Sequence, residues 1–256
     1  MRKNVVFIVA LLSMFACVPS MQLVSLESYS TSKIDKNFEY KDSLVHISYN
    51  FYSPNGNMRF RIYNVSNKPI YIDWKNTLYI SSAESRKSYW NDESVYVGTF
   101  TSIDLQWTSW LNTNSGVSQG VVNKPERITF LPPNTGVEVS KYSVYDSQKI
   151  TMSNNNLVTN DTINWKKSKK TVKITKSIYD LQSTPFTFRN YISIAKTEDF
   201  KEPMYYDFSF FVSQVWNINA RQLVGDFLYK TYMDSTAISS KYHPYKQVNR
   251  FFVVEK

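Results

Sequence analysis

Val45, Ile47, Tyr49 and Phe51 alternate with His46, Ser48 and Asn50, a period of two that puts one apolar face on an extended strand. The next residues, Pro54-Asn55-Gly56-Asn57, are turn formers, and after them Met58, Phe60 and Ile62 alternate with Arg59, Arg61 and Tyr63. This pattern predicts a hairpin. A second turn over 64–69 leads to Ile70, Ile72 and Trp74 alternating with Tyr71, Asp73 and Lys75, so three antiparallel strands in succession are expected. Further strands are expected at 95–101, 103–107, 127–131, 171–175, 186–195, 205–215 and 247–254. From Asn219, the residues Ala220, Leu223, Val224, Phe227 and Leu228 recur at helical spacing with Asn219 as the cap. At most one short helix is expected there. Many strands with no long repeat predict an all-β chain: an immunoglobulin-like antiparallel β-sandwich with long loop insertions, a closed barrel being the alternative.

The start of the chain has a different grammar. Arg2 and Lys3 precede an apolar run from Val5 to Val18, which reads as an export signal. The run is shorter than the roughly 20 residues that a spanning helix needs. Ser13-Met14-Phe15-Ala16-Cys17 resembles the lipobox of bacterial lipoproteins, in which a small residue precedes a cysteine that is lipidated and becomes the new N-terminus. Ala16 and Cys17 match it, while Met14 and Phe15 stand where Leu and a small residue are usual. An ordinary cut after Ser20, with Val18 and Ser20 at the −3 and −1 positions, is the alternative and would discard Cys17. Removal of Arg2 and Lys3 leaves 28 basic against 21 acidic residues, a net +7. The predicted organisation is a signal peptide over 1–16, a flexible serine-rich tether over 17–36 and a single sandwich domain over 37–256.

Composition excludes several kinds of chemistry. One Cys cannot form a disulfide within the chain, and two His, at 46 and 243, with one Cys make no zinc motif. The six glycines fall in no phosphate-cradling pattern. No cofactor or metal is therefore expected. Asp92, Glu93 and Asp104 lack the spacing of a calcium loop, and both histidines read as structural or solvated.

The stretch Phe60-Arg61-Ile62-Tyr63-Asn64-Val65-Ser66-Asn67-Lys68-Pro69-Ile70-Tyr71-Ile72-Asp73-Trp74 resembles a segment of uncharacterised exported lipoproteins of Gram-negative bacteria, and Leu131-Pro132-Pro133-Asn134-Thr135 is similar to an edge turn of such proteins. The resemblance implies an immunoglobulin-like sandwich held at the outer membrane or in the periplasm, and it carries no activity.

Two clusters are candidate binding surfaces. Six Lys lie between Trp165 and Lys176. Of these, Lys166, Lys167, Lys169, Lys170 and Lys173 form a candidate site for anionic headgroups or acidic glycans, with protection of a strand edge as the plain alternative. Nucleic acid is not expected, because the cluster has neither Arg nor interleaved aromatics. Trp110 falls in the polar phase of its segment, and with Trp90 it could form a platform on which sugar rings stack. Asp73 is in the outward phase, either facing a ligand or ending its strand. The sequence therefore predicts a non-catalytic cell-envelope lipoprotein, anchored to a membrane by lipid, that binds or supports an envelope protein. A carbohydrate-binding module is the second reading, and a hydrolase is the third.

Overall fold

The computed structural model describes residues 20–30, 34–90, 126–146, 149–153, 157–163, 170–225, 228–233, 236–241 and 243–254. Two antiparallel sheets face each other across an aromatic core. The smaller has the order β2 (Glu39–Lys41), β3 (Val45–Tyr49), β4 (Asn57–Asn64) and β9 (Gly136–Ser143). Its strands obey the expected phase. Val45, Ile47 and Tyr49 of β3 and Met58, Phe60 and Ile62 of β4 are buried, and Arg59 and Arg61 are exposed. Register pairs Tyr49 with Phe60, so the predicted hairpin is present. Its connection turns through Asn55 and Gly56, at φ 57° and 67°, a backbone region that favours glycine. Gly56 lies so close to Phe251 that a Cβ would come within 2.9 Å of the ring.

The larger sheet has ten strands. Its spine is β13 (Met204–Asn219), sixteen residues long. Along one edge of it run β12 (Thr187–Ala195) and then β11 (Lys170–Ile178), which carries β10 (Leu157–Ile163). Along the other edge runs β1 (Ser20–Ser28), flanked by β16 (Arg250–Val254). β12 also pairs with β5 (Ile70–Asp73) and with β6 (Leu78–Ser81), which carry β8 (Ile128–Leu131) and β7 (Arg86–Ser88) respectively. β14 (Leu228–Met233) and β15 (Thr236–Lys241) form a separate hairpin. The fold is thus the expected all-β sandwich, packed through rings such as Tyr49 against Phe210 and Phe51 against Phe188, with centroids 5.1 and 5.7 Å apart.

Three expectations are corrected. β5 is not the third strand of a meander with β3 and β4. After Asn64 the chain crosses to the other sheet, where Ile70 pairs with Leu131 and Ile72 with Ile194. Within the tether expected over 17–36, the stretch Ser20–Ser28 is instead the strand β1, buried on both faces. Its serines conceal an apolar alternation, with Val24 and Leu26 facing the main core and Met21 and Leu23 facing a second one. The second core contains Ile174, Ile218, Leu223, Tyr245 and Phe252, so the segments around 220–225 and 245 lie over the outer face of the large sheet. A bulge makes this possible. Ser25 pairs with Gln214 but Leu26 with Val212, and the extra residue, Ser213, reverses the phase of β13. Phe208, Phe210 and Val212 face the main core before the bulge, and Val215 faces it afterwards. Finally, Asn219 does cap a turn, with Gln222 closing a capping box, but the turn is a 3-10 helix of three residues, Ala220–Gln222. Leu223 then drops into the second core, and by Leu228 the chain is a strand again.

Candidate functional site

Lys170 and Lys173 are exposed on β11, whose β-branched residues set the strand. Ile174 is buried in the second core and Val172 packs against it, leaving Lys173 on the opposite face, as its phase requires. Lys166, Lys167 and Lys169 lie outside the described residues. Other cations gather around the same strand ends. Lys149 Nζ donates to Ser20 Oγ at 2.6 Å, Arg221 is exposed, and Trp216 has Lys176 Nζ at 5.0 Å and the Arg250 guanidinium at 5.2 Å from its ring centroid. Burial lowers the pKa of Arg250, against the pull of the neighbouring Tyr245 and Tyr52 phenols. Asp161, one strand away on β10, is engaged by the Tyr245 hydroxyl. The result is a cluster of solvated ammonium groups beside cations held on an indole, suited to an extended anionic surface.

The outer face of the large sheet carries aromatics. Tyr71 is paired with Phe130 on one side and with Ala195 on the other, and Ser193 is paired with Tyr205. Residues directly opposite share a face, as do residues two apart in one strand, so Phe130, Tyr71, Tyr205 and Tyr191 all point the same way. Tyr71 and Phe130 meet edge to face at 5.5 Å, and Tyr191 stacks on Tyr205 at 5.3 Å. Phe130 is 53% and Tyr205 54% exposed. The Arg189–Asp207 ion pair lies beside them. Sequence reasoning missed this row because its members come from four strands whose neighbours are set only by the topology. Trp90, the expected platform residue, is half-buried against the main core with Lys75 Nζ 5.9 Å from its ring centroid. Trp110 lies outside the described residues.

A groove of about 630 Å³ opens between the sheets, lined by Tyr79, Lys87, Tyr145, Asp146 and Phe186 among others. Tyr145 and Phe186 stack at 5.2 Å. Burial, with the Asp146 carboxylate adding to it, pushes the Tyr79 phenol up to about 12.

Asp73 corrects its expected outward phase. Its side chain is only 2% exposed and meets Arg127 Nη2 at 3.0 Å. Lys75 N donates to it at 3.0 Å and Asn76 Nδ2 at 2.8 Å. Burial alone would raise this carboxyl, but Arg127, the Lys75 N–H and Asn76 outweigh it and hold it below the usual carboxylate range. It closes the end of its strand. His46 Nε2 lies 3.1 Å from Glu39 on the small sheet's surface, and His243 meets the ring of Tyr52. Asp92, Glu93 and Asp104 lie outside the described residues, as does Cys17. Among the described residues no group of three His, Cys, Asp or Glu is placed to hold a metal, and no helix is long and apolar enough to cross a membrane. Compared with models of protein families, with curated proteins and with solved structures, the chain matches none of them.

Proposed function

We propose that the chain is an exported, lipid-anchored protein of a bacterial cell envelope that acts there as a non-catalytic binding or structural accessory module. The observation that carries this reading is the N-terminal sequence: a basic start, a short apolar run and the only Cys of the chain at position 17, where the run gives way to polar residues. The folded part fits it, since β1 begins at Ser20 and ties the residues after the anchor into the large sheet. The likeness of 60–74 to exported immunoglobulin-like lipoproteins supports the same location. In that stretch Asn64 marks the crossing between sheets. Labelled palmitate is expected to enter the wild-type chain in the bacterial host and not Cys17→Ser, which should leave the membrane fraction. A wild-type protein that takes up no label and begins at Met21 would sink the reading.

A second reading, glycan binding, is favoured by the aromatic row of Tyr71, Phe130, Tyr191 and Tyr205, with the polar Arg189–Asp207 pair beside it. Stacking on a sugar would be worth part of the affinity at each ring, so Phe130→Ala and Tyr205→Ala should each weaken binding of an envelope polysaccharide several-fold in a tryptophan-fluorescence titration. Equal binding by both variants and wild type removes this reading.

A further inference from the structure

We infer that the sandwich stands end-on at an anionic phospholipid surface, with the β10–β11 end beside the lipid anchor and Lys170 and Lys173 among the headgroups. The inference rests on lipidation of Cys17 for the anchor, while the placing of its lysines at that end rests on register alone. Ser20 is opposite Asn219 at the end of the spine strand β13. On the other edge of that strand, Thr175 of β11 is opposite Asn217. β11 is antiparallel to β13, so its residues before Thr175 run outward past Asn217 and beyond the level of Ser20. At about 3.3 Å per residue, Lys170 lies roughly 10 Å beyond the level of Ser20. Cys17 is three residues from Ser20, and an extended chain of that length also reaches at most about 11 Å. Three residues of chain are therefore long enough for the lipidated residue to reach the level of the first lysine of β11.

They are close sideways as well. β1 and β11 flank β13, which separates them by two strand spacings, or about 10 Å. That is near the screening length at physiological ionic strength, so ammonium groups there sense the headgroups around the anchor. Lys170 and Lys173 differ in parity and so point to opposite faces of β11, which suits a strand end meeting a flat surface better than a sheet face lying on it. Lys149, bonded to Ser20, and the exposed Arg221 add charge at this end. The opposite end of the spine differs. The β12–β13 turn, some 50 Å away along sixteen residues, carries Lys196 and Lys201 against Glu198, Asp199 and Glu202, a net −1. Charge thus falls along the long axis from the anchored end to the far one.

The test uses full-length protein and vesicles of phosphatidylethanolamine and phosphatidylglycerol at a ratio of about three to one. A fluorophore is placed on Thr171→Cys or Thr197→Cys of the lipidated chain, and brominated lipid is the quencher. Quenching at 171 and none at 197 is expected. Equal quenching at both, or quenching at 197 alone, overturns the orientation. The soluble Cys17→Ser chain reads the lysine contact without the anchor. Its affinity for the same vesicles should fall about fivefold for each of Lys170→Gln and Lys173→Gln and vanish in high salt, whereas unchanged affinity in the double variant overturns the contact. Failure of palmitate uptake by the wild type would remove the anchor and with it the fixed orientation, but this second measurement would still decide whether the lysine end meets the lipid.

Discussion

The Asn64 side chain is wholly buried at the corner where the chain passes between sheets. Its Nδ2 donates to the carbonyls of Lys68 and Leu131 at 2.8 and 3.0 Å, and its Oδ1 accepts from Ser66 N and Oγ at 3.0 and 2.7 Å. One amide thus ties the β4–β5 crossing to the end of β8. Asn64→Asp removes the two donors and buries a carboxylate against two carbonyls, so a loss of about 2–4 kcal/mol is expected in urea melts. A loss below about 0.5 kcal/mol would show that the corner holds without it. In the sequence Asn64 stands in an Asn-x-Ser triplet within a run of turn formers, and nothing local distinguishes a glycan acceptor from a core amide. Asp73 was hidden in the same way. Its period-two phase points outward, but a cation from a segment more than fifty residues on makes burial tolerable. Its lowered pKa has a definite sign. The stabilisation is present above the unfolded carboxyl value near 4 and is lost as pH falls through the lower folded value. Acid titration of stability should therefore be steeper below about pH 4 in the wild type than in Asp73→Asn, and matching curves would refute it.

At the scale of elements, strands with one dry face were legible, and β1 was not. β3 and β4 announce themselves by strict alternation, because one side of each meets the core and the other meets solvent or a half-covered edge. β1 is buried on both sides, and such strands read as apolar runs. Gln22 and Ser25 interrupt that run. Gln22 is tolerated there because its amide closes on the backbone of Ile150, donating to the carbonyl at 2.9 Å and accepting from the N–H at 2.7 Å, a partner 128 residues away that no local pattern reveals. The bulge at Ser213 is equally invisible, although it allows one long strand to serve two cores. Leu23→Ala decides between strand and tether. A wholly buried leucine truncated in place costs on the order of 2–5 kcal/mol, whereas the same change in a flexible tether costs almost nothing. A melting temperature lowered by several degrees is expected.

Across the whole molecule, 19 Tyr and 16 Phe make stability depend on keeping phenols neutral. The main core is a lattice of rings in which Tyr49 contacts Phe51, Phe60, Phe208 and Phe210, and Tyr89 contacts Phe60 and Tyr142. Burial raises the Tyr49 and Tyr89 phenols well above their ordinary value of 10, and it pushes Tyr79 up to about 12. A group whose folded pKa is raised favours the native state fully below its unfolded pKa, and that contribution is lost as pH rises from there through the folded value. Between pH 10 and about 12 the unfolded chain releases these protons while the native one keeps them. The Tyr79 phenol then removes about 1.4 kcal/mol per pH unit, and Tyr49 and Tyr89 act in the same direction. Over two units Tyr79 alone removes about 3 kcal/mol, a large part of the 5–15 kcal/mol by which a domain is usually stable. Alkaline unfolding is therefore expected below pH 12, as a cooperative loss of near-ultraviolet circular dichroism that coincides with a late step in phenolate absorbance. Tyr79→Phe, which removes the ionisable group and the long 3.4 Å bond to the Val144 carbonyl, should move that transition to higher pH. If the phenolate signal instead rises smoothly around pH 10 while the dichroism persists, the ring lattice admits water and is not the sealed core that its burial implies.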